Sequence, residues 1–453
     1  MIKRTLKDIQ TMVGGSGLEK RFELIIVEGV TIDSRTVTAG NLYIPIIGKQ
    51  VDGHTFAPLV VSAGASGILW QKDIPEAPTD VPVIMVEDTL KALQQLAMAY
   101  KDALNMKVVG ITGSNGKTST KDILASILAT TYKVHKTPGN FNSEFGMPLT
   151  LLMAPEESEI VVLEMGMRGL GQIKHLSDMA KPDVSVITCI GEAHIAELGS
   201  RENISIAKFE ITSGLSDAGL FVYHGDEPLL KKRIQQANPT YKMVTFGDEK
   251  TNDYYPTAID VDGAGMCFKI PQSDLIFNLS VLGKHNVMNA LSAIAVARHF
   301  NVDFDAIKKG LTQVEMSKMR MAIHYAKNGL MIIDDSYNSS PTSVRATLDL
   351  LYSLTGYRKK IVVLADMLEL GEETITYHQD IGADIDPDEI DILLTFGPLS
   401  QHTANASKVS LTQHFSDKTA LAKELALLSS EDDVCLIKGS RGMALEDVIK
   451  QFI

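Results

Sequence analysis

The segment with the clearest chemical potential is the glycine-rich run Thr-Gly-Ser-Asn-Gly-Lys-Thr-Ser at residues 112–119. It follows an apolar run from Val108 and precedes a helical pattern, the usual setting of a phosphate-binding loop. Glycines allow several backbone N–H groups to point at phosphate oxygens, and the helix N-terminus adds a partial positive charge. Lys117 can bridge β- and γ-phosphates, and the Thr118 hydroxyl can bind Mg²⁺. The segment predicts a nucleotide site without distinguishing a kinase, an ATPase or a ligase.

A strict phosphate-loop pattern has a glycine six residues before its lysine, whereas this chain has Ile111 at that position. The predicted loop is therefore a shortened variant, and a plain glycine-rich turn between a strand and a helix is the alternative. The Lys-Thr pair directly at the predicted helix start favours the phosphate loop.

Two further side chains follow predicted strands and could hold a metal ion. Glu164 ends the apolar run from Ile160, and His194 follows the apolar run 184–190. Ligands gather at the carboxyl ends of the strands in an open parallel sheet, so both side chains should lie beside the phosphate loop. A carboxylate there commonly binds Mg²⁺, although an ordinary strand-end carboxylate is the alternative for Glu164. Lys208 lies on a predicted helix, where a solvated lysine is the alternative to a functional one.

The elements that position these residues alternate between short apolar strands and amphipathic helices, which predicts an α/β protein with mostly parallel sheets. A helix is predicted from Lys121 to Tyr132, and residues 254–282 alternate in an antiparallel pattern around Asp262-Gly263. Another alternation, starting near residue 316, resembles a smaller doubly wound, Rossmann-like domain. The predicted domains are a small α/β domain at 1–105, a central phosphate-loop domain at 106–314 and a C-terminal Rossmann-like domain at 315–453.

The bulk composition is that of a soluble protein with more than one core. The chain has 453 residues, 45% hydrophobic and 22% charged, and this length favours two or three domains. The net charge of −13 argues against general nucleic-acid or membrane binding. Cys189, Cys267 and Cys435 are far apart and odd in number, which predicts neither a disulfide framework nor a metal-binding cysteine cluster. No apolar run reaches the roughly 18 residues of a membrane helix, and residues 1–14 lack a signal-peptide core, so we expect a cytoplasmic protein.

The order of these residues resembles the Mur ligase family over essentially the whole chain. In that family the loop reads Thr-Gly-(Thr/Ser)-Asn-Gly-Lys-Thr, and Glu164 and His194 match its metal-binding residues. The resemblance implies that Lys208 adds CO₂ and becomes a carbamate, an oxygen ligand for the second of two Mg²⁺ ions. It also implies an ATP-dependent ligase in which Lys117, His194, Lys208 and Arg320 are the catalytic residues.

Further motifs of the same resemblance imply the ATP contacts. Residues 283–290 resemble the family's adenine-side signature, with Asn286 and Asn289 as the expected contacts, although Asn286 could equally cap the helix that begins there. Arg320 matches an arginine that reaches the γ-phosphate, and Asp335 matches a residue near the ribose and Mg²⁺. The expected ATP-binding residues are Gly113, Ser114, Asn115, Gly116, Lys117, Thr118, Ser119, Asn286, Asn289, Arg320 and Asp335. The expected metal ligands are Thr118, Glu164, His194 and Lys208 as its carbamate.

Polar loop motifs are similar to those of the subfamily that adds D-alanyl-D-alanine to the UDP-muramoyl tripeptide. They lie at residues 137–144, 334–341, 364–371 and 438–443. The resemblance implies that the first domain binds the UDP-sugar, the central domain ATP and the last domain the incoming dipeptide. The expected substrate contacts are Ser34, Arg35, Asp52, His54, Asn140, Asn142, Tyr337, Asn338, Met367, Glu369, His378, Lys438, Ser440 and Arg441.

The partners implied by this resemblance are small molecules, namely ATP, the UDP-muramoyl tripeptide and D-alanyl-D-alanine. We expect no nucleic acid, no membrane insertion and a monomeric chain. One alternative is another ligase of the same family, and a second is a phosphate-loop regulator or kinase that forms no amide. The sequence lacks the base-reading Asn-Lys-x-Asp of a GTP switch, and it shows no loss at the loop or metal positions that a non-catalytic relative would need.

Overall fold

The computed structural model describes residues 1–263 and 265–453, and over this part of the chain it is an α/β protein. The first segment contains the antiparallel pair β1-β2 and a parallel sheet of order β3-β4-β5-β6. Its last helix begins after Asp88, whose side chain accepts a hydrogen bond from the Lys91 N–H. The helix ends at Leu104 and is followed by Asn105 in the left-handed region. The elements are β1 (Lys3–Thr5), α1 (Leu6–Met12), β2 (Ile26–Glu28), β3 (Val30–Thr31), β4 (Leu42–Tyr43), α2 (Ala57–Ser62), β5 (Gly67–Gln71), β6 (Val83–Val86) and α3 (Thr89–Leu104).

The central segment forms a wholly parallel six-stranded sheet of order β12-β11-β10-β7-β9-β8 over the described residues. Its elements are β7 (Lys107–Thr112), α4 (Lys117–Leu128), β8 (Val134–Lys136), α5 (Gly146–Met153), β9 (Ile160–Glu164), α6 (Gln172–Ala180), β10 (Val184–Ile187), α7 (Ile195–Leu198), α8 (Arg201–Phe209), β11 (Leu220–His224), α9 (Pro228–Ala237) and β12 (Lys242–Phe246). The chain fills one side of β7 with β8 and β9 and then crosses to β10 on the other side. The carboxyl ends of β7, β9 and β10 therefore meet at a topological switch point, where ligands of open α/β sheets bind.

An antiparallel excursion follows the central sheet. It consists of β13 (Ala258–Asp262), β14 (Gly265–Ile270) and β15 (Ser273–Leu279), and it is followed by α10 (Lys284–His299) and α11 (Phe304–Thr312). The antiparallel pairing predicted for residues 254–282 is therefore confirmed. Helix α10 packs along α4, so the excursion returns the chain to the phosphate-loop helix.

The last segment forms a second six-stranded sheet, of order β16-β17-β21-β18-β19-β20, in which only the edge pair β16-β17 is antiparallel among the described strands. Its elements are β16 (Ala322–Tyr325), β17 (Met331–Asp335), α12 (Pro341–Ser353), β18 (Lys360–Ala365), α13 (Thr374–Asp384), β19 (Ile392–Phe396), α14 (Ser400–Ala406), β20 (Leu411–Phe415), α15 (Lys418–Leu428), β21 (Val434–Lys438) and α16 (Glu446–Ile449). Short 3₁₀ helices lie at Lys20–Phe22, Gly53–Phe56, Glu210–Thr212, Gly371–Glu373 and Arg441–Met443. The three-part α/β architecture expected from the sequence is confirmed.

Strand β7 is buried on both faces, as a central parallel strand should be. Val109 and Ile111 pack in a cluster that continues into β17 and α12, whereas Val108 packs in a second cluster that includes Leu93 and Leu96 of α3. Successive residues of a strand face opposite sides, so this one strand joins the cores above and below the sheet. The phosphate loop is thereby anchored to rigid structure.

The limits of two predicted elements were wrong. The helix predicted from Lys121 to Tyr132 is α4, which runs from Lys117 to Leu128. It begins before the predicted residue because Gly116 adopts a φ of +80° and lets the helix start directly after the loop. The strand predicted to run to residue 190 ends at Ile187, where the Thr188 hydroxyl turns away to donate to the Asn115 carbonyl at 2.5 Å.

In the described part of the chain, no helix is both long enough and apolar enough to cross a membrane. Helices α3 and α10 are the longest, at 16 residues each, and α3 carries a distinct apolar face that is buried against the rest of the protein. Both helices therefore bury apolar side chains against other elements of the protein.

Candidate active site

The phosphate loop lies between β7 and α4 at the carboxyl edge of the central sheet. Gly113 and Gly116 have φ angles of +152° and +80°, which side chains with a Cβ rarely adopt. A Cβ on Gly113 would lie 1.9 Å from the Thr188 hydroxyl, and one on Gly116 would lie 2.5 Å from Oδ1 of Asn289. The Lys117 ammonium donates to the Gly113 carbonyl at 2.8 Å, inside the curl of the loop. The loop is thus already shaped to present a cation and backbone donors to an anion.

Glu164 sits in a buried hydrogen-bonded cluster beside the loop. The Thr118 hydroxyl donates to Oε2 of Glu164 at 2.7 Å, and Nδ2 of Asn142 donates to Oε1 at 2.8 Å. Both Thr118 and Glu164 are buried, at the start of α4 and the end of β9. A hydroxyl and a carboxylate are the oxygen ligands that Mg²⁺ prefers, so this pair fits a divalent cation next to bound phosphates.

Lys208, on α8, is completely buried, and its Nζ has no hydrogen-bond partner in the part of the chain that the structure describes. Burial, followed by the charge of Lys117, lowers the pKa of Lys208 well below its ordinary value. Addition of CO₂ requires the neutral amine, which this environment favours. The orphaned buried amine therefore fits the expected carbamate.

His194 lies in the left-handed region at the start of α7, with a φ of +65°. Burial, followed by the charge of Lys208, lowers the pKa of His194 to about 4, so the ring is neutral near pH 7. A neutral imidazole offers a lone pair to a metal. The carboxylate of Glu369, from the loop after β18, lies 3.0 Å from Nδ1. The last segment thus reaches the side of the site on which His194 lies.

The opposite wall is built by β17, β21 and the loops that follow them. Asp335 and Lys438 are partners in the register of these strands, and Nζ of Lys438 donates to Oδ2 of Asp335 at 2.5 Å and to the Asn338 carbonyl at 3.0 Å. The Arg320 guanidinium carbon lies 4.2 Å from the centroid of the Tyr337 ring, a cation–π contact. Arg320 and Lys438 line the same cavity as the phosphate loop.

Hydrogen bonds hold this wall against the central segment. Nδ2 of Asn115, in the phosphate loop, donates to the Ser340 hydroxyl at 3.2 Å. The Thr342 hydroxyl donates to Oε2 of Glu192 at 2.7 Å, and the Thr342 N–H donates to the same oxygen at 3.2 Å. The two segments are therefore in contact next to the loop.

A single cavity of about 870 Å³ joins the two walls. This is the size of a site for a drug-sized ligand or larger. The expected site residues that line it are Ser114, Asn115, Gly116, Lys117, Thr118, Ser119, Asn140, Asn142, Glu164, His194, Asn289, Arg320, Asp335, Tyr337, Asn338, Glu369, Lys438, Ser440 and Arg441. A triphosphate and a second reactant can therefore be held in one space.

Three expected ATP or metal residues lie outside the cavity lining, namely Gly113, Asn286 and Lys208. Asn286 is fully buried; its Nδ2 donates to the Leu282 carbonyl at 2.8 Å, and its Oδ1 accepts from Asn289 at 3.0 Å. It thus ties the start of α10 to the preceding chain and orients Asn289, which does line the cavity. The capping role that was the alternative for Asn286 is wrong, because α10 begins after Gly283 and the Asn286 side chain donates to a carbonyl instead of accepting from a helix N–H.

Met367 and His378, expected to touch substrate, are buried away from the cavity. The Met367 N–H donates to Nε2 of His378 at 3.0 Å, and Nδ1 of the same ring lies 2.7 Å from the Thr374 carbonyl. Both ring nitrogens are therefore used to shape the loop that carries Glu369.

The residues expected to bind the UDP-sugar lie in the first segment, outside this cavity. Asp33 holds the guanidinium of Arg35 with two hydrogen bonds of 2.9 and 2.7 Å, next to Ser34. Nδ1 of His54 lies 2.6 Å from Oδ1 of Asp52, and the ring is buried. These contacts define the turns, while Ser34 and the exposed Arg35 remain accessible.

Comparison with known proteins shows the family. The Mur ligase family catalytic domain matches residues 26–101, the Mur ligase middle domain matches 111–297 and the Mur ligase glutamate ligase domain matches 319–441. The UDP-N-acetylmuramoyl-tripeptide–D-alanyl-D-alanine ligase of Bacillus subtilis is 44% identical over 457 residues, covering 100% of this chain and 99% of the relative. This chain belongs to the Mur ligase family. The enzyme of the same name from Escherichia coli K12 is 33% identical, over 99% of this chain and 98% of its own.

Solved structures of this Mur ligase's relatives have the same fold. A crystal structure of MurF from Acinetobacter baumannii is similar with a TM-score of 0.90 and 27% identity, covering 100% of this chain and 99% of the other. The MurF ligase of Thermotoga maritima in complex with ADP is similar with a TM-score of 0.83 and 29% identity, over 94% and 97% of the two chains.

Several cavity residues of this Mur ligase were missed by sequence reasoning. They include Arg168, His175, His224, His285 and Thr342. His224 ends β11, so the strand-end rule that selected Glu164 would have selected it as well. The others lie on loops and helices whose facing surfaces depend on the packing of separate segments.

Proposed function

We propose that this chain is an ATP-dependent ligase that joins D-alanyl-D-alanine to UDP-N-acetylmuramoyl-tripeptide and forms the UDP-muramoyl pentapeptide of peptidoglycan precursors. The observation that carries the proposal is the single cavity in which the phosphate loop faces Arg320, Lys438 and the Tyr337–Asn338 loop. A ligase needs this arrangement, because the nucleotide and the acceptor must react with one another. The full-length similarity to ligases named for this reaction supports the same substrates.

In the first step, the free carboxylate of the tripeptide attacks the γ-phosphorus of ATP, giving an acyl phosphate and ADP. Two anions approach each other, so positive charge must offset their repulsion. Lys117 lies within the loop, and the planar guanidinium of Arg320 faces it from the last segment, held against Tyr337. We assign both to the transferring phosphoryl group, where a fixed positive charge stabilises the spreading negative charge.

In the second step, the amine of D-alanyl-D-alanine attacks the acyl carbon, and the tetrahedral intermediate expels inorganic phosphate. The walls that hold the two reactants belong to different segments, which are tied together by Asn115–Ser340 and Glu192–Thr342. Holding the amine and the acyl phosphate at contact distance supplies much of the rate enhancement. We assign the dipeptide to the loops of the last domain that carry Asn338 and Ser440.

The residues present fit two Mg²⁺ ions and a lysine carbamate. Thr118 and Glu164 would hold one ion, and His194 with the carbamate of Lys208 would hold the other. When bound, the ions neutralise phosphate charge and polarise the phosphoryl oxygens. The buried Lys208 amine and the neutral His194 ring support this assignment.

The remaining assignments complete the proposal. Residues 1–105 bind the UDP-sugar, residues 106–314 bind ATP, and residues 315–453 bind the dipeptide. The whole chain acts as a monomer. A cytoplasmic location suits the proposed use of ATP, and the three cysteines are free, as is usual in a reducing compartment.

The test is to incubate the purified protein with ATP, Mg²⁺, bicarbonate and the UDP-muramoyl tripeptide, with and without D-alanyl-D-alanine. Phosphate release and the mass of the nucleotide-sugar product are measured. We expect dipeptide-dependent formation of the pentapeptide, which Lys117→Ala abolishes and which Lys250→Ala, at an exposed position, leaves intact. Phosphate release without pentapeptide would refute the substrate assignment, and no phosphate release with any ligase substrate would refute the ligase itself.

A further inference from the structure

His194 and Glu369 come from different parts of the chain and meet at the edge of the active site. His194 is the N-cap residue directly before α7 in the central segment, and Glu369 lies in the loop between β18 and α13 of the last segment. Oε2 of Glu369 is 3.0 Å from Nδ1 of His194. Nδ1 is buried and forms no hydrogen bond with any described residue, so the Glu369 carboxylate at 3.0 Å is the group placed to become its partner through a small adjustment.

Both residues have a backbone conformation that is unfavourable for a residue with a Cβ. The φ angles are +65° at His194 and +63° at Glu369. Such strain persists where the surrounding structure enforces it, and it clusters at functional sites. Here the two strained residues face each other, and each lies in a short turn that sets the direction of its side chain.

The backbones around the pair also pack together. The Ala196 N–H donates to the Glu369 carbonyl at 3.3 Å, and a Cβ on Gly371 would lie 3.2 Å from Cα of Ala196. Glu369 is therefore held against the start of α7 by its own main chain as well as by its side chain. Its carboxylate is about half exposed, which leaves it free to adjust to the ring.

A carboxylate at Nδ1 has a defined effect on a histidine ligand. It favours the tautomer with hydrogen on Nδ1, which leaves the lone pair on Nε2 for the metal, and it fixes the rotation of the ring. We propose that Glu369 is a positioning residue for His194, and that it couples docking of the last domain to the assembly of the metal site. The proposal rests on the proposed function, because it takes His194 to be a metal ligand.

This role differs from the substrate contact expected for Glu369 from the sequence. It is consistent with the hydrogen bonds inside the loop around Glu369, which join Met367 to His378 and His378 to Thr374. These hydrogen bonds limit the movement of the loop and so help it to hold the Glu369 carboxylate next to the ring of His194.

The experiment titrates the full-length protein with Mn²⁺ in the presence of bicarbonate and follows free Mn²⁺ by electron paramagnetic resonance. We expect Glu369→Ala to weaken Mn²⁺ binding by about 10- to 100-fold, the usual effect of removing a partner of a metal-bound histidine. Glu369→Gln keeps an oxygen that accepts from Nδ1 and should bind Mn²⁺ close to wild type. The matched control is Glu372→Ala, an exposed carboxylate of the same loop.

Two further variants separate positioning from other roles. Thr342→Val removes a different contact between the domains, so a positioning role for Glu369 predicts a clearly smaller loss of Mn²⁺ affinity than in Glu369→Ala. Glu197 lies within ligand distance of the same two side chains, with all three donor atoms within 4.8 Å of one another. Equal losses in Glu197→Ala and Glu369→Ala would mean that the acidic groups bind the ion directly, and would overturn the positioning role.

A spectroscopic signature gives a second readout. In ¹⁵N-histidine spectra, with His194→Gln used for assignment, the wild-type ring should be the Nδ1–H tautomer, and Glu369→Ala should lose this bias. Unchanged Mn²⁺ affinity and tautomer in Glu369→Ala would refute the inference. Absence of Mn²⁺ binding by the wild type would instead refute the proposed metal site, so the two failures are distinguishable.

Discussion

Replacing Lys208 by methionine should stabilise the free protein while it removes activity. Lys208 is completely buried, and its amine has no partner among the described residues. Methionine has a similar length and an apolar end, so it can occupy the same space without a charge. If the amine is present for chemistry alone, its removal should relieve a cost to folding.

The expected size follows from the burial. A buried polar group without a hydrogen bond costs about 1–3 kcal/mol in proteins. We therefore expect Lys208→Met to raise the free energy of unfolding by about 1–3 kcal/mol at the alkaline end of the pH range, where the amine approaches neutrality in both states, and by more near pH 7. For a domain of about 200 residues, each kcal/mol corresponds to roughly 2–4 °C in Tm.

The pH dependence has a definite sign. Burial, followed by the charge of Lys117, lowers the pKa of Lys208 in the folded state, whereas the unfolded chain keeps its ordinary value near 10.5. Between these two values the unfolded state binds more protons, so wild-type stability rises with pH. The variant lacks this titration, and its advantage over the wild type should shrink as the pH approaches 10.5.

The assay is differential scanning calorimetry in buffers freed of CO₂, from pH 7 to pH 9.5, with Lys250→Met as an exposed control. Pentapeptide synthesis by Lys208→Met should fall on the order of 100-fold or more, because a metal ligand is lost. A lower Tm for Lys208→Met than for the wild type in CO₂-free buffer would refute the reasoning, as would an advantage that grows with pH.

Three predictions concern stability elsewhere. Thr5 caps α1 in a capping box with Asp8, so Thr5→Ala should lower the unfolding free energy by about 1 kcal/mol in urea denaturation, and the exposed Thr11→Ala much less. Gly310→Ala would place a Cβ 2.5 Å from Cα of Ile127, so overpacking of about 1–3 kcal/mol should exceed the gain of about 1 kcal/mol in helix propensity and lower the Tm. Burial opposes ionisation of Asp433, but its hydrogen bonds from Arg358 and Ser430 outweigh burial and hold the pKa of Asp433 below its ordinary value. Arg358→Ala should therefore lower the free energy of unfolding slightly above pH 4, because solvent screens the exposed Arg358 guanidinium. The difference from wild type in acid titrations should vanish as the pH falls through the folded pKa of Asp433.

The elements that carry the site could be predicted because their signals are local. The strand at β7 is a run of apolar residues, the loop after it is marked by glycines and Lys117, and Glu164 and His194 each follow an apolar run. Parallel strands bring their carboxyl ends to one edge, so even the grouping of these residues could be expected. The antiparallel strands within residues 254–282 could also be predicted, because polar and apolar residues alternate there.

The limits of elements were less predictable, because they depend on contacts between distant residues. Strand β10 ends at Ile187 where Thr188 bonds to Asn115, more than seventy residues earlier in the chain. The family resemblance implied that Met367 and His378 contact the substrate. In the structure, the Met367 N–H and both ring nitrogens of His378 make hydrogen-bond contacts within the segment 367–378. No spacing in the sequence distinguishes a side chain that braces a loop from one that faces a ligand.

The sequence by itself determined the type of chemistry and the kind of fold, because residue type and periodicity act over a few residues. Only the tertiary structure decided which groups meet. It buried Lys208 without a partner, paired Lys438 with Asp335 across two strands, and brought Glu369 to His194 from another segment. Burial and pairing arise from packing between segments far apart in the chain, and those are the interactions that shift a pKa, orient a ligand and close a site.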